Sequence, residues 1–166
     1  EQELAVRVLP RERKIKIQKG GVLQEQNIEK EKKPASSPLD EKKIRSMYQE
    51  GVEACRNGEY RNALTVFELL MSRTEKHRLQ ANVYYWAGEC HYKLERYERA
   101  LAMFDKSIAV KGSTKKDDSM IMKGIIYYKR GDTDRALKQF STLMSRDPDS
   151  EYADKAAEYI RKIRQS

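Results

Sequence analysis

GVEACRNGEYRNALTVF from Gly51, GECHYKLERYERALAMF from Gly88 and GIIYYKRGDTDRALKQF from Gly124 are three versions of one unit. The leading glycines stand 37 and then 36 residues apart. Ala63, Ala100 and Ala136 keep that spacing, each followed by leucine (Leu64, Leu101, Leu137), and Phe67, Phe104 and Phe140 close each unit. A fixed period in this range marks supersecondary units that bury a core only against their neighbours. Stacks of this kind usually hold partners. A binding face is therefore the first expectation, ahead of a catalytic centre.

Within each unit the periodicity is helical. Helices are predicted at about 40–57 and 60–74, 78–94 and 97–110, 115–130 and 133–145, with a last one at about 150–164. Ser37 or Asp40 is the candidate cap of the first, with Glu41 in its first turn. NGEY, LERY and RGDT are the tight turns inside each pair, and Gly58 and Gly131 suit a left-handed helix end. Pro148 stands where one helix stops and another begins. The terminal helix carries Tyr152, Ala153, Ala156, Ala157, Ile160 and Ile163 at helical spacing and is expected to cap the open end of the stack. Gly51, Gly88 and Gly124 each cost up to about 1 kcal/mol in helix propensity, so close approach of the second helix is the expected reason for them.

The set of small residue, alanine and aromatic resembles the tetratricopeptide repeat, and Pro148 fits the last position of that pattern in the third unit. The first two units have Glu75 and Gly112 there instead, and the units run longer than the family's usual 34 residues. The longer spacing, the three units and the SEYADKAAEYIRKI finish are similar to the C-terminal tetratricopeptide domain of the periplasmic YbgF/CpoB family, associated with Tol-Pal and cell division. Ala81, Tyr85, Trp86, Gly88, Glu89 and Tyr92, then Tyr97, Ala100 and Phe104, carry that likeness. Outer-membrane assembly lipoproteins with such repeats are a second branch, although the residues before Cys55 include no cysteine to carry a lipid. The resemblance implies an all-α fold: a right-handed superhelix of three helix-turn-helix repeats (about 44–77, 81–112 and 117–148) and a capping helix (about 150–164), making a domain at 40–166.

In that architecture the first helix of each pair lines the concave face. The residues placed there are Tyr48, Val52, Cys55 and Arg56 from the first unit. The second gives Asn82, Tyr85, Glu89, Tyr92 and Lys93, and the third Ile121, Ile125, Tyr128 and Lys129. Four tyrosines flanked by Arg56, Lys93 and Lys129 make an amphipathic groove suited to a peptide of acidic character. Packing between repeats is an equal expectation for Tyr85 and Tyr128, since one member of each pair (Tyr84-Tyr85, Tyr127-Tyr128) must face inward.

Residues 1–39 differ from the rest. Val6 and Val8, then Ile15 and Ile17, alternate with polar residues at the period of a strand, broken by Pro10 and Gly20-Gly21, and a polar linker follows. Two short strands are marginal alone, so this arm is expected to be extended or disordered in isolation, and either docks on a larger assembly through those four residues or is a plain flexible tether. The chain begins at Glu1 rather than Met. If a leader has been removed, the protein is periplasmic or outer-membrane associated; a cytoplasmic setting stays open.

Hydrophobic residues make up 39% of the 166, charged residues 36%, and the formal net charge is +8. That excess keeps one alternative in view, a basic helical repeat protein that binds nucleic acid or an anionic surface. The cations are spread among 26 acids without a long block, and no aromatic-basic platform of a known module is present. Cys55 and Cys90 form no C-x-x-C motif; they can bridge only if their helices bring the Cα atoms within about 7 Å. His77 and His91 are the two histidines. Cys90 adjoins His91, but neighbours on a helix point apart and make no dyad. No catalytic residue, cofactor or metal is expected, and no small-molecule substrate. The reading is a non-enzymatic scaffold or adaptor that holds a peptide or helix of a protein partner.

Overall fold

The computed structural model describes residues 40–75 and 77–165. The chain divides between Ser37 and Pro38, and the described residues belong to the second unit. Val6, Val8, Ile15 and Ile17, with the docking role expected of them, lie outside the described residues. Among those described there are seven helices and no strand: α1 (Glu41–Arg56), α2 (Tyr60–Met71), α3 (Gln80–Lys93), α4 (Tyr97–Ala109), α5 (Lys116–Lys129), α6 (Thr133–Arg146) and α7 (Ala153–Gln165). Each helix packs on the next in chain order, and α1 also touches α3, as α3 touches α5. The fold is therefore the all-α repeat stack that the period implies, three hairpins closed by a seventh helix.

The glycine–phenylalanine register explains the hairpins. A Cβ placed on Gly51 would lie 2.8 Å from the Phe67 ring, and one on Gly88 would lie 2.7 Å from Phe104. On Gly124 it would overlap Phe140 more closely still. Each phenylalanine is fully buried, which contributes about 1.5–3 kcal/mol per side chain. The glycine thus marks the spot where the ring of the partner helix lies against bare backbone. Ala63, Ala100 and Ala136, also fully buried, keep the second helix close.

The three inner turns share one hydrogen-bond pattern. Glu59 N–H reaches the Ala54 carbonyl, Arg96 N–H that of His91, and Asp132 N–H that of Tyr127; one residue earlier, Gly58, Glu95 and Gly131 bond to Cys55, Tyr92 and Tyr128. These are Schellman helix ends, which need a left-handed residue. Gly58 (φ 84°) and Gly131 (φ 74°) supply it, as their sequence positions foretell; in the second unit Glu95 adopts φ 56° without being glycine.

Asp40 caps α1, its carboxylate accepting from the Lys43 N–H at 2.6 Å. Beside it Glu41 gathers His77, then Arg45 and Arg78, and these partners hold its carboxyl pKa down to about 2. Two helix ends depart from expectation. Helix α2 stops at Met71 because successive turns through Leu70, Thr74 and His77 carry the chain to α3. Helix α7 starts at Ala153 because Asp147–Ser150 and Ser150–Ala153 turns precede it.

Candidate functional site

The inner face is built from α1, α3 and α5 with the start of α7 beside it. Its first station joins two repeats: Trp86 Nε1 donates to the Tyr48 hydroxyl at 3.0 Å, and the Arg56 guanidinium lies 5.6 Å from the Trp86 ring centroid. Tyr48 and Trp86 are half-buried and Arg56 is exposed. An indole carrying a cation on its face and a phenol at its edge is a semi-rigid amphipathic platform.

The second station is Tyr85. Its ring centroid lies 5.6 Å from Trp86 and 5.9 Å from Phe104, with Lys115 Nζ 5.1 Å away. Burial, and then the carboxylates of Glu89 and Asp118, push its phenol well above the usual range. Tyr85 therefore packs inside its own repeat, on Trp86 and Phe104, and carries the Lys115 ammonium, from the start of α5, near its ring.

Acidic groups occupy the middle of the face. Glu89 Oε1 is buried and takes no hydrogen bond among the described residues. Burial raises its carboxyl pKa; Lys93 opposes that shift, nearby Asp118 adds to it, and Lys155 opposes it. Asp118 Oδ1 accepts from Lys115 Nζ at 2.9 Å and from the Tyr152 hydroxyl at 3.1 Å, tying α5 to the start of α7. The face is thus of mixed sign, a correction to the acidic-peptide groove expected from Arg56, Lys93 and Lys129. Those cations rim a centre that is itself acidic.

The third station is Tyr92, half-buried, with its ring 6.1 Å from Tyr97 and Lys129 Nζ 5.2 Å above it. The Tyr92 hydroxyl beside Lys129 raises the ammonium pKa. Asn82 is half-buried on α3 and Lys93 is exposed at its end. Tyr48, Arg56, Asn82, Tyr85, Glu89, Tyr92, Lys93 and Lys129 therefore belong to, or border, one face.

The third unit is different. Ile125 is only 5% exposed and Ile121 2%, within the core that α5 shares with Ala156 and Ile163 of α7. Tyr128 meets Tyr159 edge-on at 5.2 Å, and Tyr159 stacks on Phe140 at 5.0 Å. As a partner contact Ile125 is thus corrected to a core residue, because α7 covers the place where a fourth unit would begin. Tyr128 is half-buried against the same helix.

Trp86, Lys115, Asp118 and Tyr152 were not among the expected site residues. Asp118 had a signal, standing one period of 36 residues after Asn82. Trp86 had none within the repeat, since the equivalent residues of the other units are Gln49 and Met122; it entered only as part of the family likeness. A cleft of about 870 Å3 lies elsewhere, at the loop edge between Arg78, Tyr84, Lys106 and Gly112. Among the described residues no three His, Cys, Asp or Glu side chains gather to hold a metal, and no helix is long and apolar enough to cross a membrane.

Solved structures share the fold at low identity. PcrH in complex with the chaperone-binding region of PopB is 18% identical, with a TM-score of 0.62 over 75% of this chain and 97% of that one. PcrH from Pseudomonas aeruginosa is 18% identical with a TM-score of 0.66, over 75% and 94% of the two chains. The Yersinia enterocolitica type III secretion translocator chaperone SycD, in an alternative dimer, is 12% identical with a TM-score of 0.67, over 76% and 95%. Among curated protein sequences none matches significantly. The tetratricopeptide-type repeat is thus supported, but not the YbgF/CpoB branch in particular. The family model that matches is YfiO, described as outer membrane lipoprotein. It spans residues 40–166, so the chain belongs to the YfiO outer membrane lipoprotein family.

Proposed function

We propose that this chain is a non-enzymatic adaptor of the bacterial envelope, periplasmic or outer-membrane associated, that holds a peptide or helix of a protein partner across the α1–α3–α5 face. The arm docks the domain on a larger assembly through Val6, Val8, Ile15 and Ile17. The observation that carries the reading is the row of half-buried aromatic rings with cations over them: Trp86 under Arg56, Tyr85 under Lys115 and Tyr92 under Lys129. Such rings keep one apolar side packed and offer area at little cost in side-chain entropy. PcrH, of the same fold, has been solved with a segment of PopB, which supports a peptide as the class of occupant. Membership of a family of outer membrane lipoproteins supports the envelope setting. The alternative of a polyanion binder fits less well, because Glu89 and Asp118 stand in the middle of the face.

The reading is tested with Arg56→Glu and Lys93→Glu combined. Both side chains are exposed, so the helical circular dichroism should match that of the parent. The proteins that co-purify with the parent chain from native envelope should fall away, and their retention by the parent should weaken with salt, since exposed charges are screened beyond about 8 Å at physiological ionic strength. Equal yield from the double variant at every salt concentration would overturn the reading.

A further inference from the structure

Two cysteines in different repeats meet in the core. Cys55 near the end of α1 is 6% exposed and Cys90 on α3 is 0% exposed. Both are free thiols, and their Sγ atoms lie 2.8 Å apart, Cys90 donating to Cys55. A covalent S–S bond of roughly 2.05 Å needs under about 1 Å of further approach. The two residues hold different places in their units, four residues after Gly51 and two after Gly88, so the repeat register alone does not explain the meeting.

We propose that Cys55 and Cys90 are a cross-linking site: an intrachain disulfide that clasps the first repeat to the second beneath the Tyr48–Trp86 station. The bond forms by exchange with a small or protein disulfide of the general form R–S–S–R. The Cys55 thiolate attacks one sulfur of the donor, and R–S⁻ leaves and takes up a proton. The Cys90 thiolate then attacks the Cys55 sulfur of the mixed disulfide and expels the second R–S⁻, which is also protonated. The two protein thiols are oxidised, and the donor disulfide is reduced to two thiols. Before the helices close neither thiol is favoured, and the reverse order, Cys90 first, gives the same product; once they close, the Cys90 S–H donates to the Cys55 sulfur and holds the reduced pair together. Since both sulfurs are buried, exchange belongs to folding, before α1 and α3 close over the pair. The proposal does not depend on which partner the inner face holds; it requires a compartment that supplies disulfide donors.

The experiment refolds the full chain from denaturant in a glutathione mixture rich in the oxidised form. The product is alkylated in denaturant and mapped by mass spectrometry. The expected product is two hydrogens lighter than the dithiol, carries no alkyl group or glutathione, and yields a Cys55–Cys90 cross-linked peptide. Two alkylated cysteines, or stable glutathione adducts, would overturn the proposal. The second readout is thermal. With 35 residues separating the pair, reduction should lower the melting temperature of the parent by roughly 10 °C and leave that of the Cys55→Ala/Cys90→Ala chain unchanged. A bond that forms without this shift contradicts the clasp.

Discussion

Adding one methyl group to the three helix glycines in turn tests the packing register. Alanine in place of a helical glycine gains about 1 kcal/mol in propensity, so on an exposed helix each change would stabilise. Here the new Cβ meets a phenylalanine ring that is fully buried and cannot swing away. At Gly51 the nearest ring atom is 2.8 Å away and at Gly88 2.7 Å. At Gly124 the second and third nearest atoms, Phe140 Cδ1 and Cζ, are already at 2.7 and 2.8 Å, with Cε1 closer still. Overpacking costs about 1–3 kcal/mol. Gly51→Ala and Gly88→Ala should therefore come out between neutral and about 1 kcal/mol destabilising, and Gly124→Ala should lose about 2 kcal/mol, or roughly 6 °C in melting temperature. Urea titrations followed by far-ultraviolet circular dichroism give the three values. Phe140→Leu combined with Gly124→Ala should show a coupling of about 1 kcal/mol, because the smaller side chain makes room for the methyl. If Gly124→Ala stabilises the protein, or the three variants are indistinguishable, the rings do not lie against the glycines and the register is wrong.

Glu95→Gly should stabilise by about 0.5–1 kcal/mol, since the residue holds a left-handed conformation that glycine adopts freely; chemical denaturation decides, and a loss contradicts the shared turn geometry. Tyr48→Phe should cost about 0.5–1.5 kcal/mol, because it leaves Trp86 Nε1 without its acceptor, and Trp86 fluorescence should shift with it. His91 is buried, and burial, with Arg96 and Arg99 nearby, lowers its imidazole pKa. The unfolded chain then binds more protons, so stability should fall as pH drops through the unfolded value and level off below the folded one; melting temperatures between about pH 7.5 and 5.5 should show the decline, and His91→Gln should flatten it.

Fold and site were not equally legible in the sequence. The hairpins could be read because both halves of each contact carry a distinctive residue, a glycine on one helix and a phenylalanine 16 residues later on the next. The ends of α1 and α5 could be read from Gly58 and Gly131; the period places the LERY turn as well, but the left-handed conformation of Glu95 within it leaves no mark on residue type. The site was half legible. The repeat register put Tyr85, Glu89 and Tyr92 on one face of α3, since a period assigns faces. It did not reveal that α7 buries Ile125, because a closing helix lies outside the repeat. Nor did it reveal the charge of the centre, which depends on Glu89 and Asp118 coming together from two helices. The Trp86–Tyr48 hydrogen bond joins residues 38 apart in sequence, and no local pattern encodes it.

The adaptor role requires a protein partner on the α1–α3–α5 face. A photo-crosslinking amino acid placed singly at Arg56, Lys93 and Lys129 on that face, and at Thr65 and Thr142 on α2 and α6, tests it most directly in cells. All five side chains are exposed, so none of the replacements should disturb the core. A shared cross-linked protein is expected from the first three positions and none from the two threonine positions. The same protein captured equally from Thr65 and Thr142, or captured from those two positions alone, would contradict it.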